Sequence, residues 1–266
     1  MSEQTDAAQG HRLHFKAWGR TDVGRKRPHN EDSIAVDESL GLFAVADGMG
    51  GHAAGEVASR TAVETLREFI ALTSADRDFT WPFGQDQRYG LTENILLTGV
   101  QLANRQICQM ACENRDYTGM GTTLAVLYAA QDTLHICHVG DSRVYRFHGG
   151  GLEQMTMDHS WVNEQLQRNI ITEDEARNHR WRNVITRALG NRPELEIDLK
   201  SFDPSPGDLF TLCSDGLTGM LRDEEITSIL SQYGDDLEGA CDALIEAGNE
   251  AGGMDNISVI LVRILP

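Results

Sequence analysis

The sequence contains no G-K-S or G-K-T tripeptide, no C-x-x-C pair and no H-x3-H or H-E-x-x-H spacing among its nine histidines. These absences exclude a Walker phosphate loop, a paired-cysteine redox or zinc motif and the common zinc-hydrolase pattern. Basic residues are also scarce: 23 lysines and arginines face 41 acidic residues, for a formal net charge of −18. A general affinity for nucleic acid or anionic lipid needs an attractive field, so neither partner is expected, and any anionic substrate must be captured locally. No apolar run approaches the roughly 18 residues of a membrane span. The opening MSEQTDAAQG has no hydrophobic core, so no signal peptide is expected either. The five cysteines are odd in number and read as reduced thiols of a cytoplasmic protein. Cys108 and Cys112, four apart in a helical pattern, read as core residues. With 266 residues, 40% of them hydrophobic, and only six prolines, the chain can bury a sizeable core.

The stretch LFAVADGMGGHAAGEVAS, Leu42 to Ser59, follows an apolar run with four glycines and two acids. Gly48, Gly50 and Ala53 satisfy G-x-G-x-x-A, a form of the dinucleotide fingerprint. The fingerprint's acidic partner, about 20 residues on at the end of a strand, falls instead near Glu68 within a helical pattern. Asp47, directly before the first glycine, would repel a pyrophosphate. Metal binding is the competing reading.

Along the chain, residues 1–10 form a polar tail and HRLHFKAWG a first alternating strand. SIAVDES and GLFAVAD read as a hairpin, followed by helices near 55–72 and 92–114. TTLAVLYAA, TLHICHVG, SRVYRFHGG and GLEQMT are strand-like, whereas 158–182 is polar and helix-compatible. ELEIDLKSF, DLFTLCSD and NISVILVRIL add strands, with DEEITSIL and DLEGACDALIEAGNEAG as helices between the last two. There is no internal repeat or Pro-rich linker. Grouped strands alternating with grouped helices predict an α+β layered domain.

Four aspartates stand at ends of these apolar runs: Asp47, Asp141, Asp215 and Asp255. Aspartate is common in turns because it caps local amides. Were the four to converge, they would need a cation among them. An all-oxygen ligand set selects Mg²⁺ or Mn²⁺ over zinc. The segment GRKRPHNEDS places Arg25, Lys26 and Arg27 before Glu31 and Asp32. It reads either as an exposed charged turn or as an arginine fork for phosphate beside an acid that holds metal or water.

The ordered blocks R-x-x-N-E-D (Arg27 to Asp32), D-G-M-G-G-H (Asp47 to His52), G-T-T (Gly121 to Thr123), V-G-D-S-R (Val139 to Arg143), S-D-G-L (Ser214 to Leu217) and D-N-I-S (Asp255 to Ser258) closely resemble the bacterial form of the metal-dependent type 2C serine/threonine phosphatases. The resemblance spans about residues 13–264. It implies a four-layer α/β/β/α sandwich with two central, mainly antiparallel sheets, and one catalytic domain over 11–266 whose 158–190 segment is a flap. By resemblance Asp47 bridges two ions, Asp215 and Asp255 complete the first, and the Gly48 carbonyl with Glu31, mainly through water, serves the second. Asp141 with Asp215 matches a weaker third ion, and Arg27 is the phosphate-binding arginine. Two positions depart from common family patterns: Met49 stands where many eukaryotic members have histidine, and Gly219 where some relatives have an acid. His52 is not a secure replacement for that histidine.

The chemistry so implied is hydrolysis of phosphoserine and phosphothreonine monoesters by direct attack of metal-bound water, whose pKa falls from about 15.7 toward roughly 7 at a binuclear manganese or magnesium centre. No cysteine is the nucleophile, and Cys213 reads as a buried strand residue. Phosphoproteins, including a serine/threonine kinase and its targets, are the expected partners of a monomeric cytoplasmic enzyme. A non-catalytic binding module and a nicotinamide oxidoreductase are the competing classes.

Overall fold

The computed structural model describes residues 13–50, 54–75 and 79–266; the polar tail and His52 lie outside them. In chain order the strands and helices are β1 Phe15–Asp22, β2 Asp32–Asp37, β3 Leu42–Met49, α1 Ala54–Ala75, α2 Leu91–Glu113, β4 Gly121–Thr122, β5 Leu124–Ala130, β6 Thr133–Val139, β7 Arg143–His148, β8 Gly151–Gln154, α3 Trp161–Gln167, α4 Glu173–Arg177, β9 Asp198–Phe202, β10 Leu209–Cys213, α5 Asp215–Thr218, α6 Asp223–Tyr233, α7 Leu237–Glu250 and β11 Ile257–Ile264.

Two antiparallel sheets form the centre, with strand orders β1-β11-β10-β7-β8 and β2-β3-β5-β6-β9; β4 also pairs with β3. The layering follows from period-2 alternation in strands that are apolar on both faces. In β3, Leu42, Ala44 and Ala46 pack with Leu66, Ile70, Leu96 and Ile107 of α1 and α2. The alternate residues Phe43 and Val45 meet Phe210, Leu212, Ile260 and Val262 of the other sheet. That second sheet turns Cys213, Val259 and Leu261 outward onto Leu217, Ile226, Leu230, Cys241 and Leu244 of α5 to α7. Helix layer, sheet, sheet and helix layer therefore stack in the α/β/β/α order. No described helix is long and apolar enough to cross a membrane.

Two local readings need correction, at Asp47 and at the cysteine pair on α2. Asp47 does not follow its strand but lies inside it, because β4 extends the ladder by pairing Gly48 with Thr122 and Met49 with Gly121. The helix-compatible stretch after Asp158 does hold two short helices, α3 and α4, opened by Ser160 and Thr172, whose hydroxyls accept from Asn163 and Glu175 N–H. Cys112 is exposed and Cys108 half-buried, so the cysteine pair on α2 is not in the core. Cys213 is buried as expected, and its burial pushes the thiol up to about 12, which removes it as a nucleophile at neutral pH.

Candidate metal centre

Strand direction explains why distant acids meet. β2 and β3 are antiparallel, so Asp32 at the start of one faces Asp47 near the end of the other, and the two are register partners. β3 pairs with β5 and β5 with β6, each antiparallel, so β3 and β6 run the same way and Asp141, just after β6, reaches the same rim. In the other sheet β10 and β11 are antiparallel, which brings Asp215, after β10, beside Asp255, before β11.

The two rims are joined by Asp32. This buried carboxylate accepts from the Ser214 hydroxyl at 2.8 Å and the Ser258 hydroxyl at 2.6 Å, one donor beside Asp215 and one in β11. Burial and the neighbouring charges of Asp215 and Asp255 push Asp32 up to about 7, against the two hydroxyl bonds that favour its ionised form. Only the pairing of Asp32 with Ser214 and Ser258 in space identifies it. In the sequence Asp32 is one of the two adjacent acids of GRKRPHNEDS, and its two serine partners belong to the blocks S-D-G-L and D-N-I-S.

Around this joint the site is assembled by short polar contacts. The Asp47 N–H donates to Thr123 Oγ1, and the Asp47 carbonyl accepts from the Thr122 hydroxyl and the Thr123 N–H, each at 2.9 Å. Thr123 and Ser142 hydroxyls are 2.6 Å apart, tying that block to the Asp141 turn. Asn256 stitches the arginine loop to Asp255: its amide group donates to the Val23 and His29 carbonyls at 2.9 Å, and its Oδ1 accepts the Glu31 N–H at 2.8 Å. Arg27 is exposed, and its Nη2 donates to Asp255 at 2.6 Å. Gly48 N–H donates to the Glu31 carbonyl at 3.1 Å. A Cβ at Gly48 would overlap the Gly55 carbonyl oxygen and come within 2.5 Å of the Glu31 carbonyl oxygen, so glycine is required where β3 crosses the start of α1. That requirement and the strand geometry of Gly48 replace the phosphate-loop reading: the first glycine is a ladder residue, not a turn.

The structure therefore brings together Arg27, Glu31, Asp47, Gly48, Asp141, Asp215 and Asp255. Gly219 caps α5, its N–H donating to the Asp215 carbonyl at 2.7 Å. Burial pushes Asp47 well above the ordinary carboxylate range, and Asp32, Asp215 and Asp141 push it further. Asp141 is raised for the same reason, with Asp215 and Asp158 as its charged neighbours; Asp215 is raised by burial and by Asp255. Asp47, Asp215 and Asp255 remain half-buried, open to solvent on one side. Oδ1 of Asp32, Asp141 and Asp215 and Oε1 of Glu31 are buried without a hydrogen-bond partner among the described residues. Crowded acids with unpaired inward oxygens and no sulfur or imidazole among them fit a hard divalent cation.

A model of the family described as Protein phosphatase 2C matches residues 23–256. The serine/threonine phosphatase stp of Listeria welshimeri serovar 6b is 40% identical over 251 residues, covering 92% of this chain and 94% of that one. Protein phosphatase PhpP of Streptococcus pneumoniae is 35% identical, covering 92% and 95%. Among solved structures, the catalytic domain of the serine threonine protein phosphatase PstP in complex with two manganese ions superposes with a TM-score of 0.80 at 34% identity, covering 96% of this chain and 100% of that one. The serine/threonine phosphatase Stp1 of Staphylococcus aureus gives 0.84 at 33% identity over the full length of both chains. With its two-sheet sandwich, its rim of converging acids and these similarities, the chain belongs to the protein phosphatase 2C family.

Proposed function

We propose that this chain is a manganese- or magnesium-dependent protein serine/threonine phosphatase whose reaction is carried by the rim where both sheets end. The observation that supports this most directly is the set of unpaired inward oxygens on Asp141, Asp215 and Glu31 beside Asp47 and Asp255. In this reading Asp47, Asp215 and Asp255, with the Gly48 carbonyl and Glu31, would hold two cations. Asp141 with Asp215 supports a weaker third. When bound, the cations supply a water of lowered pKa as nucleophile and neutralise phosphoryl oxygens. Asp32, with Ser214 and Ser258, keeps the two sheet edges in register, and Thr123 orients Asp47. Arg27 presents the rest of its guanidinium fork to the substrate phosphate while one nitrogen stays on Asp255, giving an acidic protein a local anion clamp.

The substrates are phosphoserine and phosphothreonine proteins; a serine/threonine kinase and its targets are the natural ones, since dephosphorylation needs a reaction that installs the phosphate. A single catalytic domain over 11–266, with 158–190 as its flap, acting as a monomer in the cytoplasm, completes the reading. Its cytoplasmic placement is supported by five free cysteines; no described helix is long and apolar enough to cross a membrane.

Hydrolysis of p-nitrophenyl phosphate and of a phosphothreonine peptide is expected with Mn²⁺ and is expected to vanish with EDTA. A nicotinamide titration run beside it is expected to show no binding. Activity that survives exhaustive chelation would overturn the reading, and a metal-binding chain with no hydrolysis would make it a binding module. Arg27→Ala is expected to raise KM for phosphopeptide by about tenfold or more, the scale of a charge-assisted hydrogen bond. A change confined to kcat would remove Arg27 from substrate binding.

A further inference from the structure

The turn that carries Asp141 is clamped by a histidine that has no part in the centre itself. His159 is 6% exposed and follows Asp158 at the start of the 158–190 segment. Its backbone N–H donates to the Gly140 carbonyl at 2.7 Å, and the Gly140 N–H donates back to His159 Nδ1 at 3.0 Å. Gly140, the residue before Asp141, holds φ at +110°, so the turn depends on fixed partners for its shape. The His159 carbonyl accepts the Thr186 N–H at 2.8 Å, and the Val184 carbonyl accepts the Trp161 N–H at 2.8 Å, so the two ends of the segment close on each other at this residue. Asp158 holds Arg143 through two nitrogens, Nε at 2.9 Å and Nη2 at 2.7 Å, on the other side of the same turn.

The ring's tautomer follows from these bonds. With Nδ1 accepting from Gly140, the neutral ring carries its proton on Nε2, which faces Asp198 Oδ2 at 3.3 Å; Arg187 Nη1 donates to the other Asp198 oxygen at 3.0 Å. His138, His159 and Asp198 offer ligand atoms within 4.8 Å of one another, yet this trio does not read as a metal site. The one free lone pair of the His159 ring is engaged by Gly140, and Arg187 Nη1 stands 3.1 Å from Nε2, so a cation would meet an N–H and a guanidinium. His159 and Asp198 form a polar wedge beneath the Asp141 turn, and the His138 ring packs 4.7 Å from that of His159 with neither of its nitrogens hydrogen-bonded among the described residues.

We propose that His159 is a positioning residue for Asp141: by holding Gly140 through its ring and N–H and Thr186 through its carbonyl, it makes order in the 158–190 segment and cation binding at Asp141 one linked equilibrium. The role of Asp141 rests on the phosphatase reading; the clamp does not.

The test uses the purified full chain in four forms: wild type, H159N, H159F and H159Q. Asparagine places an amide oxygen where Nδ1 sits, phenylalanine keeps the ring volume without an acceptor, and glutamine reaches only the Nε2 position. Calorimetric titration with MnCl₂ is expected to show the weakest binding event of H159F loosened about tenfold, equivalent to about 1.4 kcal/mol. Amide hydrogen exchange at Gly140 and Thr186 should quicken by a similar factor, and p-nitrophenyl phosphate turnover should recover as Mn²⁺ is raised. H159N is expected to stay within about threefold of wild type, because it keeps the acceptor. Wild-type binding and exchange in H159F, or an H159N as impaired as H159F, would overturn the proposal. Should H159F not fold, H159Q against H159N carries the same contrast. A wild type without phosphatase activity would remove the functional reading, while the exchange contrast would still decide the clamp.

Discussion

Asp47→Asn is expected to lower kcat by about three orders of magnitude at saturating Mn²⁺, a loss of about 4 kcal/mol in barrier stabilisation. Asp47 has Asp32, Asp141 and Asp215 as charged neighbours, and in the proposed reading two cations would share its carboxylate, so its loss should weaken both. The same crowding sets a second, opposite expectation. Burial and like charges raise Asp47 above its unfolded range, so at neutral pH its ionised form opposes folding once the pH exceeds that range. Asparagine carries no charge to oppose. In EDTA the variant should therefore melt higher than wild type by a few degrees, on the order of 1 kcal/mol for a chain of this size. Added Mn²⁺ should reverse that order, because wild type gains the binding energy and the variant does not. Thermal scans with and without Mn²⁺ check both halves. Turnover within about tenfold of wild type would end the bridging assignment.

Gly48→Ala is the second large effect, and it acts through packing. A methyl group there meets the Gly55 and Glu31 carbonyl oxygens, which belong to the start of α1 and to the loop before β2. Neither is the end of a flexible side chain, so strand, helix and loop must separate. Overpacking of this kind costs about 3 kcal/mol or more, which lowers Tm by about 6 °C or more. Because Asp47 and Glu31 move with those elements, Mn²⁺-supported turnover should fall as well. Gly151→Ala is the control: its nearest neighbour is the His148 carbonyl oxygen at an ordinary 3.6 Å. A Gly48→Ala Tm within about 2 °C of wild type would show that the strand and helix can part without strain.

Much of this was legible in the residues. The apolar runs became strands because residues such as Leu42 to Ala46 alternate between two buried faces, which needs no knowledge of partners. The acids proposed to hold the cations stand in motif blocks of stated spacing. Other features were hidden because they depend on contacts across long sequence separations. Asp32 looked like one acid of a charged turn until Ser214 and Ser258, 182 and 226 residues away, supplied its two hydroxyl donors. Asp47 looked like a strand-end residue until β4 extended the ladder past it. Cys112 had core-like spacing, but its position turns to solvent because the buried face of α2 runs through Leu96, Val100, Ala103 and Ile107.

By itself the sequence determined the chemical inventory: carboxylates at the ends of apolar runs, the basic run Arg25 to Arg27 before Glu31 and Asp32, and strand and helix periods that bury both faces of two sheets. Only the tertiary structure decided that β2 starts at the rim where β3 and β6 finish and that β10 and β11 deliver Asp215 and Asp255 opposite it. The reason is that period and residue type are local properties of a chain. The direction and order of strands are settled by which apolar faces pack, and that is a property of the whole.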